Sequence, residues 1–179
     1  MTMKRVDQPT EAQTPPPVEM PNMPADVKKA VKFSGQVNDE DLTSAASLRT
    51  NSEPWKSRGE TTEQSLEALT KLRPFIQVAK LQTQVVGYVT VERDGPVPGA
   101  AYMRNIVVKP EVRRNGVGAA LLDHALQTAR DMHRKTLALR VDPANAPAVS
   151  FYRSNGFTTV ATVVSKKSGK LRLLMSREL

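Results

Sequence analysis

Between Ile106 and Leu122 the chain reads Ile-Val-Val-Lys-Pro-Glu-Val-Arg-Arg-Asn-Gly-Val-Gly-Ala-Ala-Leu-Leu. No other stretch limits the fold so strongly. A β-branched run ends near Val108, a basic loop follows, and two glycines stand where an apolar-periodic segment begins. Gly118, Leu121, Leu122, Ala125, Ala129 and Met132 recur at helical spacing, so a helix over 116–132 has one apolar face. That face has to lie on a sheet, which predicts an α/β protein. The first amides of such a helix have no internal acceptor, and the helix dipole adds partial positive charge there. Gly116 and Gly118 carry no Cβ to block close approach, and Arg113 and Arg114 add full charges. The product is an anion cradle suited to a phosphate or pyrophosphate.

Two phosphate-binding patterns do not fit. Gly-x-x-x-x-Gly-Lys-Ser/Thr is absent. Gly-x-Gly-x-x-Gly fails because its third position is Leu121, and because a long loop separates Val108 from Gly116. For Gly-Val-Gly alone, an ordinary helix start with glycines for packing competes evenly with phosphate binding.

The remaining pattern alternates strands and helices. Strands are predicted at 30–33, 75–81, 85–92, Ala101–Val108, Thr136–Val141, 157–165 and 171–177. Helices are predicted at 39–48, from Thr61 or Thr62 to Leu72, at 116–132 and at 145–155. Acids fill the first turn of the first helix, and Thr-x-x-Gln resembles a capping box at the second. Lys167-Ser168-Gly169 reads as the turn of a final hairpin. The order β-α-α-β-β-β-α-β-α-β-β gives antiparallel pairs at both ends and one βαβ unit between them.

Residues 1–27 differ from the rest. They hold Pro15, Pro16 and Pro17 in a row and have no apolar period, so a disordered, partly polyproline-II tail is expected there, with one folded domain over 28–179. No apolar run follows Lys4 and Arg5, so a signal peptide is not expected, and no run of about 18 apolar residues predicts a membrane span. The tail is net −2 and the remainder +10, within a total of +8. The anion-seeking charge therefore belongs to the folded part. Aromatics make only 4%, so the core rests on Val, Leu, Ala and Ile. The absence of Cys excludes disulfides, thiolate zinc sites, iron–sulfur clusters and a Cys nucleophile, and fits a reducing, cytoplasmic setting.

Arg113-x-x-Gly116-x-Gly118, after a Val-x-Pro strand exit, resembles motif A of the GNAT acetyltransferase superfamily. A second segment agrees. Asn145-Ala-Pro-Ala148 with Tyr152, Gly156 and Phe157 is similar to that family's Asn-x-x-Ala…Tyr…Gly-Phe pattern. One long helix and one strand lie between the two, as in the family, and the resemblance spans residues 102–157.

The resemblance implies a GNAT-like fold: a mixed, mostly antiparallel central sheet flanked by helices, with its fourth and fifth strands, Ala101–Val108 and Thr136–Val141, splayed apart. It implies acetyl-CoA as cosubstrate, without a metal. Pantetheine would pair with the backbone of Ile106, Val107 and Val108. The pyrophosphate would sit on Arg113, Arg114, Asn115, Gly116, Val117, Gly118 and Ala119. Asn145 matches a CoA-contacting Asn, although it is equally a good helix cap beside Pro147. Tyr152 matches the Tyr that protonates the departing thiolate, against the plainer reading of a half-buried aromatic. The implied reaction is direct transfer of an acetyl group to a primary amine, with the carbonyl polarised by the N–H of Val107 or Val108.

The general base is the weak point. Relatives often carry Glu near the start of the fourth strand, where this chain has Tyr102, Met103, Arg104 and Asn105. Glu92 is the nearest carboxylate candidate, although a solvated strand-edge role fits it better; Asp142 and Glu63 stand behind it. His124 and His133 are expected at the surface, and no metal site is expected. Acceptor choice would fall to residues 48–72, where Trp55, Lys56 and Arg58 suit an acidic or aromatic acceptor, although a solvated loop with one packed Trp fits them at least as well. The acceptor is left open between a small molecule and a protein, as is a homodimer. Two alternatives remain: a degenerate domain that binds CoA or a partner without catalysis, and a basic nucleic-acid binder, which lacks any recognisable nucleic-acid motif.

Overall fold

The computed structural model describes residues 25–166 and 168–179. The tail expected over 1–27 lies outside them as far as residue 24, and so does Lys167 of the final turn. The described chain opens with α1 (Val27–Ala30), capped by Asp26, and Val27 is already buried. This single turn was not visible in the sequence, because four residues give no period to read. It leads directly into β1 (Val31–Ser34).

Next come α2 (Asp39–Thr50) and α3 (Thr62–Lys71). Both begin with reciprocal capping boxes, Asn38 with Asp41 and Thr61 with Gln64. Then follow β2 (Ile76–Leu81), β3 (Gln84–Glu92), β4 (Ala101–Val108), α4 (Val117–Asp131), β5 (Thr136–Val141), α5 (Ala146–Ser154), β6 (Thr158–Val164) and β7 (Leu171–Glu178). Short 3-10 turns at Lys56–Arg58, Arg73–Phe75 and Pro110–Val112 lie in segments whose pattern gave loop or strand end.

The sheet has seven strands in the order β1-β2-β3-β4-β5-β7-β6. Among the described residues only β4 and β5 run parallel, joined through α4; the other neighbouring strands are antiparallel. This is the mixed, mostly antiparallel sheet that the resemblance implied, with the one βαβ unit that the element order placed at its centre.

Each face carries its own core. On one side Leu121, Leu122, Ala125 and Ala129 of α4, with Val149 and Tyr152 of α5, pack on Val89, Met103, Leu137 and Leu139. On the other, Leu42, Ala45 and Ala46 of α2 and Leu69 of α3 pack on Val78, Val85, Tyr88 and Val107. The approach of α4 to β3 depends on Gly87. A Cβ there would lie 2.9 Å from the Val107 carbonyl oxygen and 3.0 Å from Leu121 Cδ1.

Candidate functional site

Pairing between β4 and β5 is confined to Ala101–Leu137, Tyr102–Ala138 and Met103–Leu139. Beyond that point β5 continues against β7, through Arg140–Leu174 and Val141–Leu173. The rest of β4 continues against β3, from Asn105–Thr90 to Val108–Gly87. The two strands therefore diverge and leave a wedge-shaped opening. A register shift marks its closed end: Met103 faces Val91 and Asn105 faces Thr90, so Arg104 is the extra residue of a bulge. Thr90 and Asn105 fix it, both buried, with the Asn105 backbone N–H and side-chain amide each donating to Thr90 Oγ1 at 3.2 Å.

Alternation along β4 decides which amides face the opening. The Lys109 N–H donates to the Val86 carbonyl at 2.8 Å, so 86/109, 88/107 and 90/105 are the hydrogen-bonded pairs. Ile106 and Val108 turn their backbone groups toward the opening. Val107 turns its own into the ladder with Tyr88. The sequence-based expectation for Val107 is thus corrected: its N–H is already spent within the sheet. Arg113 Nε donates to the Val108 carbonyl at 3.0 Å, which leaves the Val108 N–H and both Ile106 groups on that edge.

The turn expected from the sequence to cradle an anion lies at the open end. Gly116, at φ 78°, forms the turn before α4 and offers no side-chain cap. The first helical bond, Ala120 N–H to the Gly116 carbonyl, leaves the Val117, Gly118 and Ala119 amides unused by the helix. Arg114 also has a positive φ, 62°, and is exposed, while Asn115 braces the loop by donating to the Arg113 carbonyl at 3.0 Å. A Cβ on Gly118 would meet Val108 Cγ2 at 3.7 Å and Phe151 Cζ at 3.9 Å, so β4, α4 and α5 converge there. From α1 the Lys28 side chain lies over Gly116.

Asn145 Oδ1 accepts from the Ala148 N–H at 3.2 Å, which makes Asn145 the cap of α5. Tyr152 is 8% exposed, edge-on to Phe151 and Phe157 at 5.5 and 5.8 Å between ring centroids. Burial raises its phenol well above the ordinary value, and the neighbouring Tyr102 phenol adds to this. Tyr152 therefore keeps its proton at neutral pH.

The carboxylates named from the sequence are engaged elsewhere. Glu92 Oε2 accepts from Arg104 Nε at 2.5 Å. Asp142 accepts from Arg172 at 2.9 Å and from the Ala144 N–H at 3.0 Å. Glu63 is exposed, and its own backbone N–H and the Thr61 hydroxyl lower its pKa. Trp55 lies under the Arg49 guanidinium, 4.7 Å from the ring centroid. Arg49 in turn pairs with Glu60 at 2.7 Å. His124 stacks on Phe33 at 4.3 Å and His133 is exposed. Among the described residues no group of three metal-ligating side chains assembles, and no helix is long and apolar enough to cross a membrane. The cluster of Tyr102, Arg104 and Arg140 at the closed end left no local signal beyond one Arg in each of two largely apolar strands.

An α/β sheet with one parallel pair that parts midway, ending on a glycine-lined helix start, defines the acetyltransferase class of fold. The profile of the Acetyltransferase (GNAT) family matches residues 41–157, and the chain belongs to that family. A ribosomal-protein-bS18-alanine N-acetyltransferase of Escherichia coli is 40% identical over 57 residues, covering 32% of this chain and 38% of the relative. The chain thus matches well under half the length of that relative. The crystal structure of Ard1 from Thermoplasma volcanium superposes with a TM-score of 0.70 at 22% identity, over 84% of this chain and 98% of that one. The PaiA N-acetyltransferase from Thermoplasma acidophilum, solved in complex with coenzyme A, gives 0.62 at 17% identity, over 83% and 99%.

Proposed function

We propose that this chain is an acetyl-CoA-dependent N-acetyltransferase that transfers the acetyl group directly to a primary amine. One observation carries the reading. The unpaired edge of β4 runs from its last pairing with β5, at Met103, to the Gly116 turn at its open end, with Tyr152 buried in the core on the α5 side. That edge offers backbone groups for pantetheine amides, and the turn offers amides and cations for the pyrophosphate. Family membership and the named N-acetyltransferases among its relatives support the same class. The bS18-alanine enzymes make a protein N-terminus one reasonable acceptor.

In this reading the amine attacks the thioester carbonyl as its free base. An Ile106 or Val108 N–H stabilises the developing oxyanion. As the tetrahedral intermediate collapses, the carbon–sulfur bond breaks and the thiolate takes the Tyr152 proton. The amine gives up its proton to water, because Glu92 is held by Arg104. The test is thiol release from acetyl-CoA over a panel of primary amines, together with calorimetric binding of acetyl-CoA. Thiol release that depends on both the amine and Tyr152 supports the reading. Tight binding with no release for any amine favours a CoA-binding domain without catalysis, an alternative kept open by the engaged Glu92.

A further inference from the structure

We propose that Arg104 and Arg140 form a carboxylate-binding fork at the closed end of the cleft, and that the acceptor is an amine that carries a carboxylate. This rests on the N-acetyltransferase reading and names the substrate class of that site. Leu137 and Leu139 of β5 point into the core beneath α4. Alternation then puts Ala138 and Arg140 on the opposite face. Ala138 is paired with Tyr102, so Arg140 stands on the Tyr102 side, one residue beyond the last β4–β5 pairing. Arg104 reaches the same point from β4. Its guanidinium lies 5.6 Å from the Tyr102 ring centroid and bonds Glu92, which is Tyr102's partner on β3. The two arginines therefore straddle the place where the strands part.

Their charges are not balanced. Glu92 neutralises Arg104, but among the described residues no carboxylate pairs with Arg140, which is exposed. Burial raises the Tyr102 phenol, while Arg140 and Arg104 both act to lower it, so each guanidinium acts on the same buried ring. The closed end is net positive. An ammonium ion is repelled there, and an amine is favoured in its free-base form, the form that attacks. A carboxylate on the same molecule is attracted, and a guanidinium fork binds it through two parallel hydrogen bonds. With its carboxylate on Arg140, the acceptor approaches from the face opposite α4 and α5. Its amine is then directed toward the opening faced by Ile106 and Val108. The field of the two arginines does part of the work that a carboxylate base would otherwise do.

The experiment is calorimetric titration of the CoA-loaded protein with matched probes. One pair is an alanyl-glutamyl and an alanyl-glutaminyl peptide amide; the other is free alanine and alaninamide. The wild-type protein binds the carboxylate member of at least one pair about 10- to 100-fold more tightly. Which pair shows the difference tells a side-chain carboxylate from an α-carboxylate. Arg140→Gln removes the preference and leaves acetyl-CoA affinity within about twofold, while Arg140→Lys restores part of it. Arg140 is exposed, so its substitution spares the fold, which circular dichroism verifies. Equal binding within both pairs, or a preference that survives Arg140→Gln, overturns the proposal. If acetyl-CoA itself does not bind, the acetyltransferase reading falls, and the same titrations on the unloaded protein still decide the fork.

Discussion

Met103 and Leu139 are the last residues at which β4 and β5 hold together. One residue later the strands belong to different neighbours, β4 to β3 and β5 to β7. A parallel pair continued to its full length would have consumed the Ile106 and Val108 groups in the ladder. Stopping it at Met103 leaves polar backbone facing a gap, which is tolerable only where water or a ligand can satisfy it.

Tyr152→Phe tests the proton donor. The variant keeps the aromatic contacts with Phe151 and Phe157, so its thermal midpoint stays close to wild type. Turnover is expected to fall by about 10²- to 10⁴-fold with the KM for acetyl-CoA little changed. Because burial raises the phenol, wild-type turnover shows no alkaline loss from this group below about pH 10. Turnover in Tyr152→Phe within threefold of wild type removes Tyr152 from the mechanism.

Gly116 and Gly118 separate stability from binding. Gly116→Ala places a Cβ at φ 78° and 3.0 Å from Lys28 Cδ, and is expected to cost about 1 kcal/mol of stability. Gly118→Ala meets only ordinary contacts at 3.7 and 3.9 Å and improves helix propensity, so stability holds or rises by up to about 1 kcal/mol. Its added methyl nevertheless crowds the cradle, and acetyl-CoA affinity should drop about tenfold or more. Urea denaturation and calorimetry on both variants measure the contrast.

Gly87→Ala has a purely structural effect. The new methyl would press on the Val107 carbonyl and Leu121 at 2.9 and 3.0 Å, and one of these contacts is backbone. Overpacking here should cost about 1–3 kcal/mol, read from the urea midpoint. An unchanged midpoint would mean that α4 is free to lift off β3.

Alkali should destabilise the fold through its buried phenols. Burial raises both Tyr88 and Tyr152, with the Arg49 charge partly opposing this at Tyr88. The folded state holds the neutral form, whereas the unfolded chain ionises near pH 10. Stability is therefore full below about pH 10 and falls as the pH rises beyond it. The Tyr88 hydroxyl is buried beside the Arg49 guanidinium, with no hydrogen bond of good geometry. Tyr88→Phe is expected to be neutral or stabilising by about 1 kcal/mol at pH 7, with a shallower loss above pH 10, measured by urea midpoints at pH 8 and 10.5.

Much of the site was legible where local chemistry dictates it. The Gly-Val-Gly helix start, the capping signals at Thr61 and Asn145, and the strand over Ala101–Val108 all depend on neighbours a few residues apart. Glu92 is the contrary case. Its sequence neighbours leave it an unremarkable strand-end acid, and only the pairing of β3 with β4 joins it to Arg104. Val107 is similar, because which amides of β4 face the opening depends on the register with β3.

By itself the sequence determined the order of elements, the apolar face of α4 and the positive, glycine-lined turn before it, since hydrophobic period and capping act over a single helix or strand. Tertiary structure alone decided where β4 and β5 part, that Arg104 bulges out of register, and that Arg140 joins it beside Tyr102. Those outcomes depend on hydrogen-bond register between strands, 12 and 15 residues apart in the chain at Val91–Met103 and Thr90–Asn105 and 36 apart at Met103–Leu139, and a one-residue shift in that register would turn each of these side chains to the other face.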